Sequence, residues 1–373
     1  MKIAIVFTIV VIFFTSVIVS FLVFDQKQLQ LQISNDLDTA SPDDISLNHS
    51  NFEDQKQPEL RIYAWLPWWE EERALQSMLI SQDKLKIISP VWYQVDSKGQ
   101  IYETASNYKS DILESAKKYD IAVIPTVSNA ANGEFDPDRI SLLLRTEEIK
   151  NTFSAKLIEL ASVHQYQGWD LDWEEIYEAD RDLYSDFLAD LSKTFKEHQL
   201  ILSVAIHAQT GKETDWIGVR GHDLRAISQS VDQVRIMAYD FHYSESPPGP
   251  ITPMDQLIEV IEHNLTYIPK DKFVLGLPTY GYKWGESGGI PLQFYKIDQI
   301  ITERKLTPSL QLDPFSIKLQ FQENGSNHEI WYEDDQTLKK KIEVAQSYGI
   351  YQICFWHLGG EDLSLWENDF FEN

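Results

Sequence analysis

The sequence is poor in cysteine, poor in positive charge, and free of several common cofactor signatures. Cys354 stands alone among 373 residues. No intramolecular disulfide can form, so stability has to come from an apolar core. Its neighbours, Gln-Ile-Cys-Phe-Trp, mark it as a small buried hydrophobe. Thirty-two basic residues face 58 acidic ones, a formal net charge of −26. Such a chain lacks the basic footprint that nucleic-acid phosphates require. No His-Glu-x-x-His occurs, and the 9 histidines are scattered. The first apolar run is followed by Leu66-Pro-Trp-Trp69 rather than by a glycine-rich phosphate loop, which argues against a doubly wound dinucleotide fold. There is no internal repeat. What is abundant is aromatic and apolar side chain, 12% and 43% of the residues, in keeping with a folded domain.

The N-terminus carries one long uncharged run, Ile3 to Phe24, preceded by Met1 and Lys2. At about 1.5 Å per residue, a helix of that length spans a hydrocarbon core of roughly 30 Å. Residues 1–24 are therefore expected to be a transmembrane signal anchor with the chain outside the cytosol. A cleaved signal peptide is the rival reading, and would leave a secreted protein. The run exceeds the usual apolar length of such peptides and lacks a small-residue cleavage pattern. Residues 25–58, rich in Gln, Asp, Ser and Asn, read as a flexible linker.

From residue 59 to 373 the pattern changes. Eight short β-rich runs are expected as strands: Arg61–Trp65, Lys86–Tyr93, Ile121–Val127, Gly168–Trp173, Leu200–Ile206, Gln233–Tyr239, Lys272–Pro278 and Ile350–Trp356. Between most of them lie segments with helical apolar spacing, such as Leu183, Phe187, Leu188, Leu191 and Phe195. Strands alternating with helices predict an α/β fold, a (β/α)8 TIM barrel. Residues 283–336 are too long for one connecting helix. Ser316–Phe321, the Asn324-Gly325 turn and Glu329–Tyr332 predict a hairpin in a small insertion there, between the seventh and eighth strands.

The chemistry concentrates in Tyr166-Gln-Gly-Trp-Asp-Leu-Asp-Trp-Glu174. Strand alternation places Asp170, Asp172 and Glu174 on one face and Trp169, Leu171 and Trp173 on the other. The aromatics need the helix layer, so the carboxylates face inward. Like charges in a dry interior raise one another's pKa, and part of the row is expected to keep its protons and titrate as a set. A general acid needs that property. Two other readings stay open on these residues alone: a divalent-cation site and a solvent-facing acidic edge.

Gly168-x-Asp170-x-Asp172-x-Glu174 resembles the Asp-Gly-x-Asp-x-Asp-x-Glu signature of glycoside hydrolase family 18, the chitinase-like family. Met237-Ala-Tyr239-Asp240, Gly276-Leu-Pro278-x-Tyr280-Gly281 and Phe355-Trp356-x-Leu-Gly-Gly resemble its sixth-, seventh- and eighth-strand motifs, in the same order. The likeness covers about residues 59–370, and is nearest in character to bacterial cell-wall or spore-type members. It implies a retaining hydrolase of β-1,4-linked N-acetylglucosamine glycans, chitin-like or peptidoglycan, with no cofactor and no metal. In that family the substrate's own 2-acetamido oxygen attacks the anomeric carbon, which departs from the two-carboxylate rule. By resemblance Glu174 is the general acid and base, Asp172 holds the acetamido nitrogen, and Asp170 tunes Asp172. Tyr239 donates to the acetamido group, Asp240 and Met237 help place the sugar, and Trp356 floors the cleavage subsite. Trp65, Tyr63 and Tyr280, with Trp68, Trp92 and Trp284, stand near the expected active face as candidates for lining a glycan cleft.

Two departures from the family pattern stand out. Its first Asp is Gln167 here, and Tyr282 replaces a frequent Arg. The alternative function is a catalytically silent glycan-binding protein on the same barrel. Such proteins usually lack the acid, which this chain keeps.

Overall fold

The computed structural model describes residues 58–131, 133–212, 216–312 and 315–367. The expected anchor (1–24) and linker (25–58) lie outside them, apart from Pro58. Among the described residues no helix is long and apolar enough to cross a membrane.

The strands are, in chain order, β1 (Arg61–Pro67), β2 (Leu85–Val91), β3 (Tyr93–Val95), β4 (Ile101–Glu103), β5 (Ala122–Val123), β6 (Thr126–Ser128), β7 (Ala130–Ala131), β8 (Glu134–Phe135), β9 (Gly168–Asp172), β10 (Ile201–His207), β11 (Gln233–Met237), β12 (Phe273–Pro278), β13 (Tyr280–Gly285), β14 (Gly288–Gln293), β15 (Ser309–Gln311), β16 (Ser316–Glu323), β17 (Ser326–Tyr332) and β18 (Gln352–Trp356). Each of the eight expected runs contains a strand of one central sheet. Two runs are interrupted, at Trp92 and at Ile124-Pro125. Proline has no N–H to give a ladder, which accounts for the second break. Parallel pairing leads from β1 to β2, from β2 to β5 and from β3 to β6. It continues through β9, β10, β11, β12 and β18, and then returns to β1. The central sheet is therefore curled, with one face turned inward.

Alternation decides what that inward face holds. On β9, Trp169 and Leu171 point out to the helices and are fully buried. The Trp169 indole donates to the Leu157 carbonyl at 3.0 Å, on the helix Glu147–His164. Just past the strand, Trp173 stacks on Phe187 of the helix Arg181–Glu197, with centroids 5.5 Å apart and planes at 18°. With both aromatics committed outward, Asp170 and Asp172 are forced inward.

The insertion starts earlier than its sequence pattern indicates. β13 begins at Tyr280, and Thr279 alone separates it from β12. β13 pairs antiparallel with β14 and β17, and β16 and β15 complete a five-stranded sheet. Asn324 and Gly325 join β16 to β17 with φ of 52° and 85°. Positive φ at both central positions is what a tight hairpin of matching twist demands. Thr279 is pinned to the eighth strand's end: its N–H donates to the Trp356 carbonyl and its hydroxyl to that of His357, both at 2.8 Å. The helix Asp335–Ser347 carries Lys341, which meets Glu333 in a fully buried ion pair.

Gly168 starts β9, where it pairs with Ile201 of β10. A Cβ there would lie 2.2 Å from the Ile201 carbonyl oxygen. Gly168→Ala is expected to destabilise the domain by about 3 kcal/mol, at the upper end for overpacking. Urea unfolding of the variant beside wild type checks it.

Candidate active site

The carboxylate row runs from the depth of the sheet to its mouth, and each member meets a different environment. Asp170 is fully buried. Its Oδ2 accepts from the Trp65 indole at 2.8 Å and from the Thr126 hydroxyl at 3.1 Å, and lies 3.5 Å from Arg235 Nη1. Arg235, also fully buried, donates to Ser89 Oγ at 2.6 Å and to Gln233 Oε1 at 3.2 Å. The deepest carboxylate thus has a cation of its own.

Asp172 has none. Burial raises its pKa well above the ordinary range, and the nearby charges of Glu174 and Asp170 and a hydrogen bond with Glu174 add to this. Asp172 therefore holds a proton far more readily than a free aspartate. Among the described residues, Asp170 Oδ1 and Asp172 Oδ1 are buried without a hydrogen-bond partner.

Glu174 lies just beyond the strand and is buried. Its backbone is clamped on both sides by Asn129, whose Oδ1 accepts from the Glu174 N–H and whose Nδ2 donates to the Glu174 carbonyl, each at 3.0 Å. The next residue, Glu175, turns left-handed with φ of 58°. Glu174 Oε2 meets Nε2 of His207, at the end of β10. Asn129, Arg235 and His207 carry no local sequence signal, since each reaches the row from another segment of the chain.

Two strands along the sheet from β9, Tyr239 and Asp240 follow β11. Burial raises the Tyr239 hydroxyl well above its ordinary pKa, reinforced by Asp172, Asp240 and Glu174, so it remains a donor. Asp240 has a left-handed backbone, φ 57°. Its Oδ1 accepts from the Tyr280 hydroxyl. Burial of the carboxyl pushes its pKa up to about 6, against the lowering effect of hydrogen bonds from Tyr280 and Tyr282. Tyr282, the departure from the family's Arg, thus gives Asp240 a neutral donor. The other departure, Gln167, ties strands together: its Oε1 accepts from the Val123 N–H at 2.6 Å.

The aromatic candidates divide. Trp356 is half-buried and meets Trp65 and Trp69 edge-on, at centroid distances of 6.1 and 6.4 Å. Trp65 is 2% exposed and is spent on Asp170. Tyr63 on β1, also 2% exposed, donates at 2.8 Å to Oε1 of Gln352, the first residue of the eighth strand, and is a core residue rather than part of an open cleft. Met237 is buried in the same interior cluster. Trp92 and Trp284 are buried too, while Trp68 is 45% exposed. Trp69, 52% exposed, and Trp216, 43% exposed, are large rings at the mouth that spacing did not single out.

Cleaving a sugar–oxygen bond takes an acid held in a dry cleft beside groups that govern its proton, and an aromatic floor suits a pyranose ring. On those grounds fold and site together define a glycosidase. The chain belongs to glycosyl hydrolases family 18, whose family model matches residues 5–361. It is 29% identical over 260 residues to the cortical fragment-lytic enzyme of Bacillus anthracis, covering 66% of this chain and 60% of that one. The Bacillus subtilis cortical fragment-lytic enzyme is 28% identical over 240 residues, covering 62% and 56% of the two chains. The match thus spans less than two thirds of these relatives' length. Among solved structures, the spore cortex-lytic enzyme SleL of Bacillus cereus shares the fold with a TM-score of 0.77 at 21% identity, covering 85% of this chain and 74% of that one. A chitinase from Chromobacterium violaceum gives 0.76 at 23%, covering 83% and 97%.

Removing Arg235 would leave Asp170 as a buried charge with no cation. Arg235→Met is expected to cost about 3–5 kcal/mol. Chemical denaturation measures it, and Arg235→Met combined with Asp170→Asn should recover part of the loss.

Proposed function

We propose that this chain is a retaining glycosidase that cleaves β-1,4-linked N-acetylglucosamine-containing glycans by substrate-assisted catalysis, on a (β/α)8 barrel. The observation that carries this reading is the adjacency of Asp172 and Glu174. They come from one strand end and share a hydrogen bond, whereas an acid and a separate nucleophile flank the scissile bond. A protein carboxylate is poorly placed for nucleophilic attack, which leaves that role to the substrate's acetamido oxygen.

In this scheme Glu174 protonates the leaving oxygen. The acetamido oxygen attacks the anomeric carbon and forms a cyclic oxazolinium, while Asp172, through its unpartnered Oδ1, takes the acetamido N–H. Glu174, now a carboxylate, then accepts a proton from the water that opens the ring. The Arg235–Asp170 pair keeps Asp170 anchored behind Asp172. Tyr239 donates to the acetamido oxygen, Asp240 orients the sugar with Tyr280 behind it, and Trp356 lies under the ring.

Two relatives are named for lysing cortical fragments. Their names favour peptidoglycan over chitin as the working substrate. An extracytoplasmic location, anchored through residues 1–24, fits such a polymer and forms part of the proposal.

The test is product mass spectrometry with N-acetylchito-oligosaccharides and with purified peptidoglycan. Wild type should release fragments from at least one, and Glu174→Gln should lower turnover by about 10²–10⁴-fold while glycan binding persists. Binding without turnover by wild type would favour the silent sugar-binding alternative. Fully deacetylated glycan should resist cleavage, and its ready hydrolysis would overturn the substrate-assisted step.

A further inference from the structure

His207 has no part in the scheme above, yet it touches the acid. Its position is set by register: on β10 it lies opposite Met237, one strand over from β9. Nε2 meets Glu174 Oε2, and the ring packs edge-on against Trp216 with centroids 4.7 Å apart. The His207 side chain is 35% exposed, against 10% for Glu174. The imidazole therefore stands between the acid and solvent. The charged and titratable groups that face it are Glu174 and Glu175 from the segment after β9, Asp240 from the end of β11, and His222. Burial drives the His222 pKa down to about 4, so it stays neutral and adds no repulsion at working pH.

We propose that His207 is a positioning residue that shares one proton with Glu174 and thereby extends activity toward alkaline pH. This rests on the glycosidase reading. With the proton on Oε2, Glu174 is a competent acid and His207 a neutral acceptor. With it on Nε2, the pair is an imidazolium and a carboxylate. The two forms have equal net charge and interconvert as one O–H bond breaks and one N–H bond forms. During turnover the proton leaves Glu174 for the departing oxygen, and the attacking water later restores it. Only loss of the shared proton to solvent disables the pair. Burial works against the imidazolium, but the carboxylates of Glu174, Asp240 and Glu175 outweigh it and hold the His207 pKa above its ordinary value. His207 Nε2 touches Glu174 Oε2, so release of the shared proton to solvent is governed by the raised imidazole pKa.

The experiment has two arms on the full chain. In the first, kcat/KM is followed against pH on whichever glycan wild type cleaves, for wild type, His207→Gln and His207→Ala. The glutamine can still hydrogen-bond Glu174 but has no titrating proton. Its alkaline midpoint should fall by about one pH unit or more, with KM near wild type. An unchanged midpoint overturns the proposal, whatever happens to stability. In the second arm, the His207 imidazole is titrated by NMR in wild type and in Glu174→Gln, without substrate. Its midpoint should drop when the carboxylate is neutralised, and indifference to Glu174→Gln also overturns the proposal. If wild type cleaves neither glycan, the glycosidase reading fails, and the NMR arm still decides whether the proton is shared.

Discussion

Carboxylates inside an apolar-walled sheet are the constraint around which the rest of this molecule is arranged. An isolated buried charge is intolerable, so each member of the row needs a partner or a proton. Three solutions appear in order of depth. Asp170, at the bottom, is matched by Arg235 and two neutral donors. Asp172, in the middle, has no cation among the described residues and is driven toward its protonated form. Glu174, at the mouth, meets an imidazole that reaches solvent. The gradient keeps the deep end fixed and leaves proton exchange to the outer end, where a substrate arrives.

The same constraint explains why so much aromatic surface surrounds the strand. Trp169 and Trp173 occupy the helix-facing side of the segment and hold its alternation in register. A one-residue slip would drive indoles into the interior and acids into the helix layer. Asn129 fixes what alternation cannot, because Glu174 lies beyond the last ladder bond and its backbone would otherwise be free.

Much of this was legible in the sequence because it depends on local period. The strand runs, the outward tryptophans and the inward acids all follow from alternation within a few residues. The hairpin at Asn324-Gly325 follows from the backbone geometry those two residues favour. Arg235, His207 and Asn129 were not legible, because their meaning arises only when separate strands are laid side by side. Arg235 alternates like any strand residue, and only the ring of pairings brings it to Asp170. The division among the aromatics is hidden for a related reason. Trp65 and Trp69 are near neighbours in sequence, yet one is spent on a buried carboxylate and the other is open to solvent. The start of the insertion was misplaced because Tyr280–Gly285 looks like the tail of a barrel strand, while its hydrogen bonds belong to the second sheet.

Thr279 is the single residue between those two sheets, and it is bonded through both backbone and side chain to the residues at the end of the eighth strand. It behaves as a rivet rather than a hinge. A flap motion of the insertion would have to tear two hydrogen bonds beside Trp356, so the wall at this side of the cleft has a set width. Accommodation of chains of different thickness then falls to side chains at the rim. The exposed Trp68 and Trp69 rings, which meet each other while Trp69 also meets Trp356, are the parts free to swing. The cleft is in that sense a vice with one fixed jaw, and its tolerance for substituents on the polymer is set by the reach of two indoles.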